Sequence, residues 1–292
     1  MTGLRVLTDG PVFEALPDPL WEAAQHPQPP GPHWQQGITW TEWCGGGETT
    51  YDECLAFTGS GAPPAPGALA ETGDACTVRG ATAFTVYAGY TASLIGSDGE
   101  DQAEVALARS EAYQTSRAFW TGTAGGQQVV WPHLAAGAAL DDPHGATLQT
   151  EPETVLASPA DPAVAFGAVE ARLAAVYGGR GVIHVPPALL PVLMDRTLAT
   201  PGDDGVLRSP AGHRVVAAPG YTGSGPDGAA PAAGTFWIYA TGAMFSYRSD
   251  VFVRDMPGTF DRATNTVRKL ASRTYLFAWE CTHLAAQINV PA

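Results

Sequence analysis

Seven histidines, four cysteines and two adjacent-aspartate pairs are the residues of this chain whose chemistry has to be tested first. The histidines are His26, His33, His133, His144, His184, His213 and His283. None stands in an H-E-x-x-H pattern, which sets two imidazoles one helical turn apart so that both reach one metal. His184 lies inside the apolar run Gly181-Val-Ile-His-Val185 and reads as a hydrogen-bonded core residue. His133 follows Trp131-Pro132 in a loop, where sequence assigns it no role. A hydrolase reading would have to rest on His184 or His213, and no G-x-S-x-G bend supplies a serine for either. Gly220-Tyr-Thr-Gly-Ser-Gly225 has the glycine density of a phosphate-binding loop. It lacks the Gly-Lys-Ser/Thr ending, and Pro226, Gly228 and Pro231 deny it a following helix, so it reads as a flexible loop. Asp141-Asp142 and Asp203-Asp204 adjoin proline or glycine, where acids serve turns, and a calcium site needs more oxygen ligands at regular spacing.

The cysteines are Cys44, Cys54, Cys76 and Cys281, with no C-x-x-C pair and no zinc spacing. Three of them share a Gly/Pro-rich stretch in which a disulfide or a metal is conceivable. Reduced, partly buried thiols are the expectation for a cytosolic chain. No catalytic, cofactor-binding or metal-binding residue is assigned, no cofactor is expected, and the chain is not expected to be an enzyme.

The elements around these residues have to be read from composition and pattern. The chain has 292 residues, 45% hydrophobic and only 15% charged, enough apolar content for a core in one or two domains. A chain so poor in charge has reason to cover surface by association. Net charge is -14, Lys269 is the single lysine, and no Lys/Arg cluster exists, which argues against groove-binding nucleic-acid recognition. No apolar run is long enough to cross a membrane, and the first ten residues lack the charged-then-apolar order of a secretory signal. The expected compartment is the cytoplasm, with exit by lysis.

Along the chain, Met1 to Thr41 holds Pro11, Pro17, Pro19, Pro27, Pro29, Pro30 and Pro32, so it should be largely extended. Trp21, Trp34, Trp40 and Trp43 on or beside it need an apolar surface, on this subunit or on a neighbour. Gly45 to Gly80 is a long Gly/Pro/Ala/Thr-rich loop. Ala83 to Ala92 reads as a strand, and Asp98 to Trp120 as a long helix with Asp98 as N-cap and Gly122 as stop. Val105, Ala108, Ala112, Thr115 and Phe119 form its apolar stripe. Asp161 to Tyr177 is a second helix, with Pro162 in the first turn, Phe166, Val169, Leu173, Val176 and Tyr177 on one face, and Gly178-Gly179 at its end. A short buried strand at 181–185 and a helix from Pro187 follow. Strands are expected at His213 to Ala217, Thr235 to Ala240, Met244 to Val253, Val267 to Trp279 and Leu284 to Val290. The order is α+β.

From Ala81 to Val290 this order resembles the major capsid proteins of tailed bacteriophages, whose Hong Kong 97-type fold is shared with encapsulins. The stretch Ala83 to Thr91 is similar to the strand that returns from the family's extended loop. The run from Asp101 through Phe119-Trp-Thr-Gly122 is similar to its spine helix. Asp161 to Arg196 is similar to the helix, strand and helix of its axial domain. Arg208 to Val216, Phe236 to Gly242, Met244 to Val253 and Asp261 to Val290 are similar to its later strands and closing hairpin. The resemblance implies an N-terminal arm (1–44), an extended loop (45–82) and a peripheral domain (83–155) with its spine helix at 98–120. An axial domain (156–255) and a C-terminal hairpin (256–292) returning to the core complete it. The chain departs from the family in lacking a long charged scaffolding segment at its start. Gly45 to Gly80 also has no lysine, so the covalent cross-link of the founding member is not expected.

On this resemblance the chain is a structural virion protein, the major capsid subunit of an icosahedral phage head around double-stranded DNA. Its partners are itself, as pentamers and hexamers, with decoration, portal and scaffolding proteins and with packaged DNA held without sequence specificity. No membrane is involved, and assembly is expected in the host bacterial cytoplasm. The arm and loop would lie across neighbours, burying Trp34, Trp40 and Phe57. The alternative is an encapsulin-like nanocompartment enclosing cargo protein. A tail or decoration protein is a further rival, which the order of spine helix and axial unit disfavours. The Pro-rich opening, in place of a cargo-lining helix, favours the viral branch.

Overall fold

The computed structural model describes residues 13–15, 17–42, 77–93 and 99–290. Helix α1 is Pro19–Ala23, followed by a 3-10 turn at Pro32–Gln36 and by strands β1 (Ile38–Glu42), β2 (Thr77–Ala81) and β3 (Phe84–Ser93). The long helix α2 spans Gly99–Thr121. Then come β4 (Thr147–Gln149), α3 (Pro162–Val176), β5 (Val182–His184) and α4 (Leu190–Asp195). Strands β6 (Arg214–Val216), β7 (Thr235–Thr241), β8 (Met244–Arg248), β9 (Phe252–Asp255), β10 (Thr266–Trp279) and β11 (His283–Asn289) complete the order.

Strand β10 organises the first sheet. β3 lies antiparallel along one side of it, from Thr266↔Ser93 to Tyr275↔Phe84. β9 and β8 take the other side, at Ser272↔Phe252 and Tyr275↔Arg248. Alternate residues of a strand face opposite sides of its sheet. The even residues of β3 therefore share a face with the odd residues of β10, and Phe84, Val86, Ala271 and Tyr275 meet Ala103, Leu107 and Phe119 of α2 there. The helix buries Ala103, Leu107, Thr115, Ser116, Ala118, Phe119 and Trp120. Val105, Ala108 and Ala112, read as part of the stripe, are only half-buried. The helix is rotated toward Leu107, and its last turn is enclosed on several sides because it runs between two sheets. Gly122 ends it in a left-handed conformation (φ +75°), its N–H reaching the Ala118 carbonyl at 2.8 Å.

The second sheet runs Thr200–Pro201, Leu207–Arg208, β6, β5, β7, β11 and Glu153–Thr154. Helix α3 covers it, packing Ala165, Phe166, Val169 and Leu173 on Ile183, Ile238, Ala240, Leu284 and Ile288. Asp161 caps α3 by accepting from the Ala163 N–H at 2.9 Å, and Gly178 (φ +68°) closes it through the Leu173 carbonyl at 3.1 Å. Val176 and Tyr177 stay half-exposed. A third, small sheet joins β1, β2, β4 and Leu140–Asp141.

Several expectations need correction. Residues 17–42 do not form an extended arm, because α1, the 3-10 turn and β1 fold onto the subunit's own body. Met244 to Val253 is not one strand but two, parted at residues 249–251. Those two strands lie in the β10 sheet, so the stretch 156–255 expected as one domain leaves the second sheet after Thr241, and β11 returns to it. The last two strands are no hairpin. β10 and β11 belong to different sheets, and the chain changes sheet at Cys281, which has φ +53°. Expected residues 43–76 and the Asp98 cap lie outside the described residues.

The 220–225 loop is not loose either. Tyr221, Gly223 and Gly225 are buried, and the Gly220 N–H donates to Ser116 Oγ of α2 at 2.8 Å. Trp120 Nε1 donates to Ser224 Oγ at 3.0 Å, and the Tyr239 hydroxyl to the Ser224 carbonyl at 3.1 Å. Glycine is needed at 220 because a Cβ would collide with the backbone of Tyr113 and Arg117. Gly220→Val should therefore lower the thermal midpoint by about 5 °C or more. By contrast Gly167, exposed in mid-helix with open space where its Cβ would go, should tolerate alanine. Gly167→Ala should gain roughly 0.5–1 kcal/mol in chemical denaturation.

Candidate assembly surface

The residues with the most reactive chemistry are spent on the interior. His184 is 0% exposed. Its Nδ1 lies 2.8 Å from the Tyr221 hydroxyl and its Nε2 lies 3.2 Å from Thr241 Oγ1, so it is the satisfied core residue expected. His283 sits between the Thr150 and Leu134 carbonyls at 3.2 and 3.0 Å. Gln128 Nε2 meets His133 Nε2 at 2.8 Å. Burial pushes all three imidazoles down, to about 4 for His133, about 3 for His184 and about 4 for His283. Each is neutral at physiological pH, and His184 and His283 lie against aromatic rings. Phe119 and Trp279 stand 5.6 Å apart edge to face, and Trp279 lies 5.1 Å from His283. Asp141 ends a short strand, and Asp142, Asp203 and Asp204 serve turns. Asp142 Oδ1 accepts from His144 and Ala146 amides, and Asp204 accepts from Val206 and pairs with Arg208 at 2.6 Å. Among the described residues no group of three His, Cys, Asp or Glu could hold a metal, and no helix is long and apolar enough to cross a membrane. Cys281 is in a disulfide, against the expectation of reduced thiols, and the other cysteines lie outside the described residues.

The Pro-rich opening is clamped, and its tryptophans are used at home. Leu20 is fully buried, and Trp21 stacks on His26 at 3.8 Å with the Arg248 guanidinium 4.3 Å from its ring. Gln25 exchanges backbone hydrogen bonds with Met244 and Ser246, and Arg214 Nη1 donates to the Glu22 and Ala23 carbonyls. Trp34 packs beside Tyr247, and Trp40 meets Phe245 edge to face at 5.1 Å. Trp34 is thus buried on its own subunit and Trp40 half-buried there, where burial on a neighbouring copy was expected. Trp43 and Phe57 lie outside the described residues. Asp18 caps α1, and burial raises its carboxyl to about 6.

What remains open to a partner is the outer face of the first sheet. Its rows, read across the strands, are Thr85–Thr274, Tyr87–Ser272–Phe252, Gly89–Leu270–Arg254 and Thr91–Arg268. Tyr87 is 55% and Phe252 62% exposed. No carboxylate occurs in these rows, although the chain has 29 acidic and 15 basic residues. Around the edge of β3 the face runs into an open cleft of about 1190 Å³, lined by Tyr87, Tyr113, Arg117, Gln149 and Asp227 among others. The aromatic and arginine positions are unremarkable in sequence. Only the cross-strand register brings them together.

No protein-family model and no curated protein matches this sequence. Solved structures match it over its whole length. It is similar to a chain of Gordonia phage Cozz (12% identity, 100% of this chain and 92% of that one, TM-score 0.51). It is similar to a chain from the capsid of the native GTA particle (13%, 99% and 96%, TM-score 0.55). It is also similar to a capsid chain of Ralstonia phage GP4 (8%, 100% and 96%, TM-score 0.50). The chain shares the fold of these structures, which is the fold its sequence order resembles.

The buried histidines set a pH dependence. Between pH 6.5 and about 4 for His133 and His283, and down to about 3 for His184, the unfolded chain binds protons at these imidazoles that the folded chain refuses. Their contribution is complete above 6.5, falls as pH drops through that window and levels off below it. Asp18 acts oppositely, its contribution being complete below 3.8 and lost as pH rises to about 6. Three histidines outweigh one acid, so the urea midpoint should be lower at pH 5 than at pH 7.5. Equal midpoints would contradict this assignment.

Proposed function

We propose, from the fold shared with phage-capsid chains, that this protein is the major capsid subunit of a tailed bacteriophage. Copies would assemble as pentamers and hexamers into an icosahedral head around double-stranded DNA, in the host bacterial cytoplasm, with portal, scaffolding or decoration proteins as further partners. The observation that carries the reading is the whole-length match to capsid chains, 99% of this chain against 96% of the GTA capsid chain. On this reading the protein is structural rather than enzymatic, which fits histidines that are buried and neutral. The β10 sheet with α2 corresponds to the peripheral domain, and the α3-covered sheet to the axial domain.

Two further features support it. The two sheets are bridged by one helix, which suits a plate that tiles by its faces and edges. A net charge of -14 suits an inner wall along which packaged DNA slides without being held.

Particles purified from a lysate containing this chain should be of megadalton mass in sedimentation and electron microscopy. They should protect double-stranded DNA from nuclease. A chain that stays a compact small oligomer at every concentration and with its co-expressed neighbours would overturn the proposal. Particles filled with protein and free of DNA would replace the head with a cargo compartment.

A further inference from the structure

We infer that the outer face of the β3–β10–β9 sheet is a docking surface for an acidic stretch of a second copy of this chain. The inference rests on the shell-forming reading and names a surface through which copies meet.

Charge is the first argument. Six of the fourteen described cations form ion pairs, among them Arg172 with Glu153 at 2.8 Å, Arg196 with Asp161 at 2.5 Å, Arg208 with Asp204 at 2.6 Å and Arg273 with Glu111 at 3.1 Å. On the helix-facing side of the same sheet, Lys269 reaches Asp255 at 2.9 Å and Glu100 at 3.4 Å. Arg254 and Arg268, on the outer side, form no ion pair among the described residues. Acids outnumber bases 29 to 15, so a shortage of carboxylates does not explain this. The four rows named hold none, and the Asp261 carboxylate beside the next row, Ser93–Thr266, is taken by the Ala263 amide and the Thr264 hydroxyl.

Shape is the second. Arg268 lies flat on the sheet because residue 89 is glycine, where a Cβ would come within 2.9 Å of its Nε. Gly89 has no left-handed φ to explain its presence, so room for the guanidinium is the physical reason. Tyr87 and Phe252 flank Ser272 in one row, and Leu270 stands between Gly89 and Arg254 in the next. Exposed aromatics beside arginines on a flat surface are the composition of an interface centre.

The occupant follows from what complements such a face. It needs carboxylates and some apolar surface. A second copy, with a net charge of -14, brings carboxylates in excess. Nucleic acid is disfavoured, because the same net charge repels a polyanion and two guanidinia neutralise few phosphates.

The test is assembly of full-length protein carrying Arg254→Glu together with Arg268→Glu. Gly89→Ala, which only displaces the Arg268 guanidinium, is the mild variant, and Arg172→Glu on helix α3 is the charge-reversal control. The double variant should keep the wild-type thermal midpoint yet need at least about tenfold higher concentration to associate in sedimentation. Gly89→Ala should fall between, and Arg172→Glu should match wild type. Raising salt should weaken wild-type association and leave the double variant little changed. A double variant that associates like wild type, at equal salt sensitivity, overturns the inference while leaving the shell reading intact. If the wild type never forms particles, the shell reading fails, and its small-oligomer affinity still reports on the face. Wild-type retention of short DNA that the double variant loses, with association unchanged, would assign the face to nucleic acid and overturn the inference.

Discussion

The last turn of α2 is the contact on which the rest of the molecule depends. Phe119 packs against Phe277 and Trp279 of β10 and against His184 of the second sheet, while Trp120 packs against Tyr221 and Tyr239. One helical turn therefore touches both sheets and the 220–225 loop. Aromatic pairs at these separations add roughly 0.5–1.5 kcal/mol each beyond the area they bury. The chain also crosses between the two sheets at Gly242 and at Cys281, and residues 22–25 bond to both through Arg214 and through Met244 and Ser246. The polar atoms inside follow from the same enclosure. Trp120 Nε1 must find Ser224 and His184 must find Tyr221 and Thr241, because an unpaired polar group there is costly.

Local signals carried much of the fold in legible form. The Asp161 cap of α3 and the glycine stops of α2 and α3 bounded the helices to within a residue or two, and β-branched and aromatic runs marked β3, β5, β7 and β10. Long-range pairing was not legible. Val267 to Trp279 and Leu284 to Val290 look like hairpin strands when only their separation is considered. Yet they pair with β3, β8 and β9 in one case and with β7 in the other. The helix stripe was misplaced because an alanine-rich helix has no strongly apolar side of its own, so the surface it packs on decides which side is covered. Gly220 to Gly225 misled for a related reason. Glycine density reads as looseness in sequence, but here it permits close backbone approach to α2.

The open surface was least legible of all. Tyr87, Phe252, Arg254 and Arg268 fall in three separate stretches, and each alone is an ordinary strand residue. Register alone sets them on one face, and register is a property of the paired strands. The absence of a Lys/Arg cluster in the linear sequence therefore said nothing about a cluster across strands.

On the proposed shell reading, folding of residues 17–42 onto their own subunit changes where adhesion between copies would come from. Trp21, Trp34 and Trp40 strengthen the subunit, and none is left as a strap. Among the described residues, contact would then be made by faces whose individual strength is modest. An exposed charge pair gives ~0–1 kcal/mol, and two aromatics add little more before ordering costs are met. Modest contacts suit a closed shell. A misplaced copy can leave while few contacts hold it, and a correctly placed one is retained once several engage together, since linked contacts multiply in effect. A charge-bearing face also makes association sensitive to salt and orientation, which favours correct register over mere stickiness.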